Sequence, residues 1–281
     1  MQTPLFQALE APPRLGIVII GDEILSGKRA DKHLPRFIEL LGARGLQAEF
    51  ADYVGDSPAR ITATLRRAFE SGEIVFSCGG IGATPDDHTR QCAAAALARP
   101  LCLHPQAEAL IRQRMQELAA EKGVVYEPDR DDNRHRLNMG VFPQGAHIIP
   151  NPYNRIPGFS CAGPNGGGVH FVPGFPVMAW PMMEWVLERY YAQLFAPNSH
   201  EERSVIVFGA MEAALTPLME AIEADFPGVR IFSLPSVDHP QYGRHIELGV
   251  KGTAAATANA YAALLAGLRQ AQVQLGPELV R

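Results

Sequence analysis

The sequence predicts an α/β protein: a three-layer α/β/α sandwich with a mainly parallel sheet over residues 14–195, followed by a small α+β domain over residues 203–275. Three observations lead there. The first half alternates short apolar runs with apolar stripes at helical spacing, the pattern of a parallel sheet covered on both faces. From Ala146 the texture changes to short strands between Gly- and Pro-rich turns, such as Gly163-Pro164-Asn165-Gly166-Gly167-Gly168. Ala196-Pro197-Asn198-Ser199 then reads as a linker, after which strand and helix patterns restart.

The elements follow in order. Leu15 to Ile20 is a short run rich in Val and Ile that ends at Gly21, a buried strand. Leu34, Phe37, Ile38 and Leu41 share a helical face, and Gly42 and Gly45 mark its stop. Leu46 to Val54 alternates as a second strand. Asp56-Ser57-Pro58 opens a helix that carries Ile61, Leu65, Ala68 and Phe69 on one side. Glu73 to Cys78 is a third strand, Thr89 to Ala98 an Ala-rich helix and Pro105 to Lys122 a further helix. Glu127 to Arg136 is dense in charge and reads as an exposed loop. His147 to Ile149 and Val169 to Val172 read as strands, and Pro181 to Phe195 as a helix. The last segment predicts βαββα: Ser204 to Phe208, Ala213 to Phe226, Val229 to Leu234, His245 to Val250 and Thr253 to Gln272.

Composition narrows the function classes. Of 281 residues, 47% are apolar and 20% charged, enough for a substantial core. No apolar run approaches the roughly 20 residues of a membrane span. Met1 to Arg14 lacks a basic region followed by an apolar stretch, so a cytoplasmic home is expected. A net charge of −5 argues against wrapping nucleic acid, which needs a basic face. Cys78, Cys92, Cys102 and Cys161 show no Cys-x-x-Cys spacing and read as buried free thiols. There is no His-Glu-x-x-His or Gly-x-Ser-x-Gly motif. Asp238-His239-Pro240 and His245 read as surface turn residues.

Two loops could carry chemistry. The first, Cys78 to Thr89, joins the third strand to its helix. Gly79, Gly80 and Gly82 allow a sharp turn and a close approach of backbone to ligand, and the helix start offers free amides. A phosphate suits that place. Capping is the plain structural alternative: Thr84 as cap, Pro85 at the first position, Asp86 and Asp87 in the first turn. The second loop, Gly21 to Lys32, follows the first strand and therefore lies on the same edge of the sheet. It offers Asp22, Glu23, Ser26 and Lys28, but not P-loop spacing.

Gly21-Asp22-Glu23-Ile24-Leu25-x-Gly27, Val54-Gly55-Asp56, Gly79-Gly80-Ile81-Gly82-Ala83-Thr84-Pro85-Asp86-Asp87-x-Thr89 and Pro173-Gly174-Phe175-Pro176 together resemble, in order, the motifs of the CinA family. Asn151-Pro152 and Ile156-Pro157-Gly158-Phe159 resemble a later loop of that family. Residues 14 to 190 are thus similar to its MogA/MoaB-like molybdopterin-binding domain, and residues 204 to 272, through Gly209-Ala210-Met211-Glu212-Ala213, to its small KH-like domain. Asp22 stands in place of Asn, Lys32-His33 where Thr-Asn is usual, and Asn154-Arg155 in place of Gly-Thr. No segment corresponds to the family's C-terminal deamidase domain.

The resemblance implies a small phosphate-bearing ligand, a nucleotide or molybdopterin. It also implies metal-dependent pyrophosphate hydrolysis of ADP-ribose-like dinucleotides, with non-catalytic binding as the alternative. Asp87, Asp86 and Glu23 would be the catalytic residues, and Asp87 and Asp86 the ligands of Mg²⁺ or another divalent cation. Gly21, Asp22, Ser26, Lys28, Asp56, Gly79, Gly80, Gly82, Thr84, Pro173 and Gly174 would contact the ligand. Relatives of this type associate, so a homo-oligomer is expected.

Overall fold

The computed structural model describes residues 14–196 and 201–281, and divides the chain into two compact units at Phe195/Ala196. Pro197 to Ser199 of the linker reading, and the N-terminal residues before Arg14, lie outside the described residues.

The first unit runs β1 (Leu15–Ile20), α1 (Asp22–Leu25), α2 (His33–Gly42), β2 (Ala48–Val54), α3 (Pro58–Glu70), β3 (Ile74–Cys78), α4 (Thr89–Leu97), β4 (Leu101–Leu103), α5 (Pro105–Glu121), α6 (Asp131–Leu137), β5 (Val141–Pro143), β6 (His147–Ile149), β7 (Gly158–Ala162), β8 (Gly168–Val172) and α7 (Pro176–Tyr190). Its six-stranded sheet has the order β2-β1-β3-β8-β7-β6. The pairs β1–β2, β1–β3 and β3–β8 are parallel, whereas β7 is antiparallel to both β8 and β6.

Every residue of β1, β3 and β8 is buried, as a strand covered on both faces requires. On one face Val18, Ile20, Val75 and Phe171 pack with Ile61, Leu65 and Phe69 of α3 and Ala93 of α4. On the other, Ile17, Ile19, Ile74 and Phe76 pack with Phe37 and Leu41 of α2 and Met182 and Val186 of α7. The rings of Phe142, Phe159 and Phe171 stack in series, with centroids 4.5 and 4.3 Å apart. Truncating the central ring to alanine would cost about 3–5 kcal/mol.

Four readings are corrected here. The charged segment read as a loop contains helix α6. Arg130 grips the Asp132 carboxylate with two hydrogen bonds, and Asn133 is buried with its Nδ2 donating to the Glu127 carbonyl at 2.7 Å. Gly158 to Ala162 is a strand, so the loop that precedes it ends at Pro157. Helix α7 begins at Pro176, where a missing N–H costs nothing, and Pro181 is accommodated inside it. Cys102 is exposed, although the other three cysteines are buried thiols.

The second unit comprises β9 (Glu201–Phe208), α8 (Glu212–Asp225), β10 (Arg230–His239), β11 (Gly243–Gly252), α9 (Ala254–Gln270) and β12 (Gln274–Val280). Its antiparallel sheet has the order β10-β11-β9-β12. Val205, Val207, Leu248 and Val250 pack against Leu215 of α8 and Leu264 of α9. The closing strand β12 extends the expected βαββα pattern. His245, read as a surface turn residue, is instead buried in strand β11, within an aromatic group at the β10–β11 hairpin where His239 stacks on Tyr242 at 4.9 Å.

Candidate functional site

Because β1, β3 and β8 are parallel, the segments after Ile20, Cys78 and Val172 leave the sheet along one edge. They surround a cavity of about 410 Å³ in the first unit. Gly21, Glu23, Asp56, Gly79, Gly80, Gly82, Thr84, Asp86, Asp87, Pro173 and Gly174 all line it. Asp22 is exposed and lies outside the lining. Ser26 and Lys28 are exposed and take no part in the wall.

The glycine loop is built around backbone that other residues would strain. Gly79 and Gly80 have φ of 106° and 66°. A Cβ on Gly79 would come 2.4 Å from the Ile20 carbonyl oxygen, and one on Gly80 would come 2.2 Å from the Thr89 hydroxyl. Buried Thr89 fastens the loop to α4: its hydroxyl donates to the Gly79 carbonyl at 3.1 Å and its amide to the Gly80 carbonyl at 3.0 Å. Arg90 adds a bond from Nη2 to the Gly82 carbonyl at 2.7 Å. Among the described residues the amides of Gly80, Ile81 and Gly82 have no acceptor, so they are available to an anion.

Helix α4 starts at Thr89, later than the capping alternative requires. Asp86 and Asp87 therefore stand in the turn before the helix, not in its first turn. The capping relation is also reversed. The Asp87 carboxylate accepts from the Thr84 amide at 2.9 Å and from the Thr84 hydroxyl at 2.5 Å, both through Oδ2.

The first loop is fixed to the segment after β2. Gly21 donates to the Val54 carbonyl at 3.0 Å, and the main chains of Asp22 and Asp56 each bond the other's carboxylate. Burial pushes the Asp56 carboxyl up. The nearby charges of Asp22, Glu23 and Asp86 push the same way, and the bond from the Asp22 amide opposes them. From α2, His33 donates Nε2–H to the Gly174 carbonyl at 3.1 Å and so holds the Pro173-Gly174 segment. Burial lowers its pKa, and Nδ1 has no partner among the described residues.

Sequence reasoning missed the far wall. Asn151, Asn154, Ile156, Pro157, Phe175, Met178, Met139 and Arg29 complete the cavity. Asn151 is buried and organises its loop, donating from Nδ2 to Asn154 Oδ1 at 2.7 Å and to the Ile156 carbonyl at 2.9 Å. Arg155 adopts φ 63° and turns to Glu117 at 2.8 Å. The signal in the sequence is the pair Asn151-Pro152 and Ile156-Pro157, which resembles a loop motif of the family although no ligand contact was assigned to it.

Four carboxylates, Glu23, Asp56, Asp86 and Asp87, line the cavity together with the glycine-rich loop. Among the described residues no group of three His, Cys, Asp or Glu side chains forms a ready-made metal centre. Hard oxygen donors of this kind suit Mg²⁺ held by one or two carboxylates together with ligand phosphates and water, rather than an all-protein cage. No helix among the described residues is long and apolar enough to cross a membrane.

Residues 16–193 match the model of the family described as "Probable molybdopterin binding domain". The chain belongs to that family. It is 30% identical over 219 residues to a CinA-like protein of Syntrophotalea carbinolica, covering 75% of this chain and 50% of that one. It is 29% identical over 227 residues to a protein of Aeropyrum pernix, covering 81% of each. Among solved structures it resembles the CinA protein of unknown function from Thermoplasma acidophilum. There the identity is 25%, the TM-score 0.53, and the match covers 63% of this chain and 98% of that one. The chain spans about half the length of the CinA-like relatives it matches.

Proposed function

We propose that the cavity binds a phosphate-bearing nucleotide or pterin, and that the protein hydrolyses the pyrophosphate of ADP-ribose-like dinucleotides with the help of a divalent cation. One observation supports this reading above others: free loop amides and four carboxylates meet in a single cavity. The amides of Gly80, Ile81 and Gly82 would hold one phosphate and stabilise charge developing on it. Asp86 and Asp87 would hold the cation, with Glu23 and Asp56 alongside. When bound, Mg²⁺ supplies neutralisation of the pyrophosphate oxygens. Glu23 would take a proton from the attacking water. The new P–O bond forms as the bridging P–O bond breaks, giving AMP and ribose 5-phosphate.

The test is incubation with ADP-ribose, with and without Mg²⁺, Mn²⁺ or Co²⁺, and chromatography of the products. AMP and ribose 5-phosphate appearing only with metal supports hydrolysis; no product in any condition removes it.

A second reading, binding without turnover, is favoured by the engagement of Asp87 Oδ2 with Thr84, which commits part of that carboxylate to the turn. It predicts a rise in melting temperature with a molybdopterin or nucleotide ligand, with no product released. We also propose that the chain forms a homodimer; light scattering giving the mass of one chain would reject this.

A further inference from the structure

A second cavity, of about 340 Å³, lies behind the same turn, bounded by Thr84, Asp87, His88, Arg90, Gln91 and Asn138 among others. It shares Ala83, Thr84 and Asp87 with the first, so the turn is a partition between two chambers. Arg90 is the unusual member. It is only 5% exposed, and its one hydrogen bond runs from Nη2 to the Gly82 carbonyl. Its Nε is buried with no partner, and among the described residues no carboxylate lies within ion-pairing distance, although the Asp87 charge is near enough to favour the cation. A buried guanidinium is ordinarily paired, because an unpaired one loses its hydration without compensation.

The main chain contributes to the same place. Helix α4 begins at Thr89, whose amide bonds the Gly80 carbonyl, while the amide of Cys92 bonds the His88 carbonyl. The amides of Arg90 and Gln91 are left without acceptors, at the positive end of the helix. The Asp87 carboxylate borders the chamber too, but its Oδ2 already accepts two bonds from Thr84.

We propose that this chamber is a second anion site, taking a phosphate group through the Arg90 guanidinium and the first amides of α4. The site is separate from the main cavity and does not depend on hydrolysis there. A phosphate in it would pair the guanidinium that holds the Gly82 carbonyl, and so would brace the glycine loop from behind.

The test has two arms. Crystals of the full chain are soaked in sodium tungstate, a phosphate-shaped anion located by its anomalous scattering. In solution, inorganic phosphate is titrated calorimetrically into the wild type, Arg90→Lys and Arg90→Gln. The proposal expects a tungsten peak against the Arg90 guanidinium. It also expects phosphate affinity to fall about tenfold or more in Arg90→Gln, the worth of one lost charge-assisted bond, and less in Arg90→Lys. Tungsten only in the main cavity against Gly79 and Gly80 would overturn this proposal and leave the proposed function standing. The absence of tungsten from the Arg90 chamber overturns it even if Arg90→Gln does not fold, and so does phosphate affinity unchanged in Arg90→Gln.

Discussion

The amide of Asp22 donates to Oδ2 of Asp56 at 2.9 Å, and the amide of Asp56 donates back to Oδ1 of Asp22 at 3.2 Å. This reciprocal pair ties the loop after β1 to the loop after β2, so the two move as one wall of the cavity. Asp22→Asn keeps the accepting oxygen and should leave stability within about 0.5 kcal/mol. Asp56→Ala removes an acceptor and should cost about 1 kcal/mol. Urea denaturation of both variants measures this. Equal losses would show that the charge, not the oxygen, carries the link.

The Asp56 carboxyl, raised by burial and neighbouring carboxylates, also sets a pH dependence. Its folded pKa lies above its unfolded one, so this group favours the folded state most in acid and loses that contribution as pH rises through the folded value. A divalent cation competes with the same proton. The Mg²⁺-induced rise in melting temperature should therefore grow between mildly acidic and neutral pH, and should grow less in Asp56→Asn. A shift independent of pH in the wild type would place the cation elsewhere.

Asp87 and Asp86 should separate cleanly. Asp87 Oδ2 accepts from both the amide and the hydroxyl of Thr84, whereas the exposed Asp86 carboxyl feels Thr84 as a neighbour that holds it below the usual carboxylate range. Asp87→Asn should cost about 0.5–1.5 kcal/mol in stability and abolish metal-dependent turnover. Asp86→Asn should leave stability unchanged and weaken turnover less. Chemical denaturation paired with product assays distinguishes them; equal loss of turnover would show that Asp87 is not the more important of the two cation ligands.

His170 tests the core. It is fully buried between Ser160 Oγ at 2.8 Å and Tyr191 OH at 2.7 Å, and burial lowers its pKa to about 3. The ring is neutral in the folded chain, but in the unfolded chain it protonates near the ordinary value of 6.5. Its stabilising contribution is complete above that value and is lost as pH falls toward 3, by on the order of 5 kcal/mol. His170→Gln should flatten this part of the acid limb in urea melts across pH. An unchanged slope would assign acid unfolding to other groups.

Much of this was legible in the residues. Leu15 to Ile20 and Ile74 to Cys78 announced central strands because burial on both faces favours a nearly unbroken apolar run, with Ser77 the one polar member. The glycines before Thr89 announced a loop held close to something. What stayed hidden depended on distant partners. Gly158 to Ala162 has small and polar members, and becomes a strand because Ser160 finds His170 on the next strand. Helix α6 hides in a charged segment because its stability comes from local ion pairing and one buried Asn133. Asn151 and Asn154 reach the cavity from a loop after β6, which no local pattern connects to the glycine loop. Asp22, read as a ligand contact, proves to spend an oxygen on Asp56.

The central claim is that one cavity, closed by the loops at Gly21 and Gly79, holds a phosphate-bearing ligand. Calorimetric titration of ADP-ribose with Mg²⁺ into the wild type and Gly80→Ala tests it most directly, because a Cβ there meets the Thr89 hydroxyl at 2.2 Å and displaces the loop while leaving the four carboxylates in the sequence. The account predicts saturable binding to the wild type and a loss of about tenfold or more in Gly80→Ala. Equal affinity in the two proteins would contradict it.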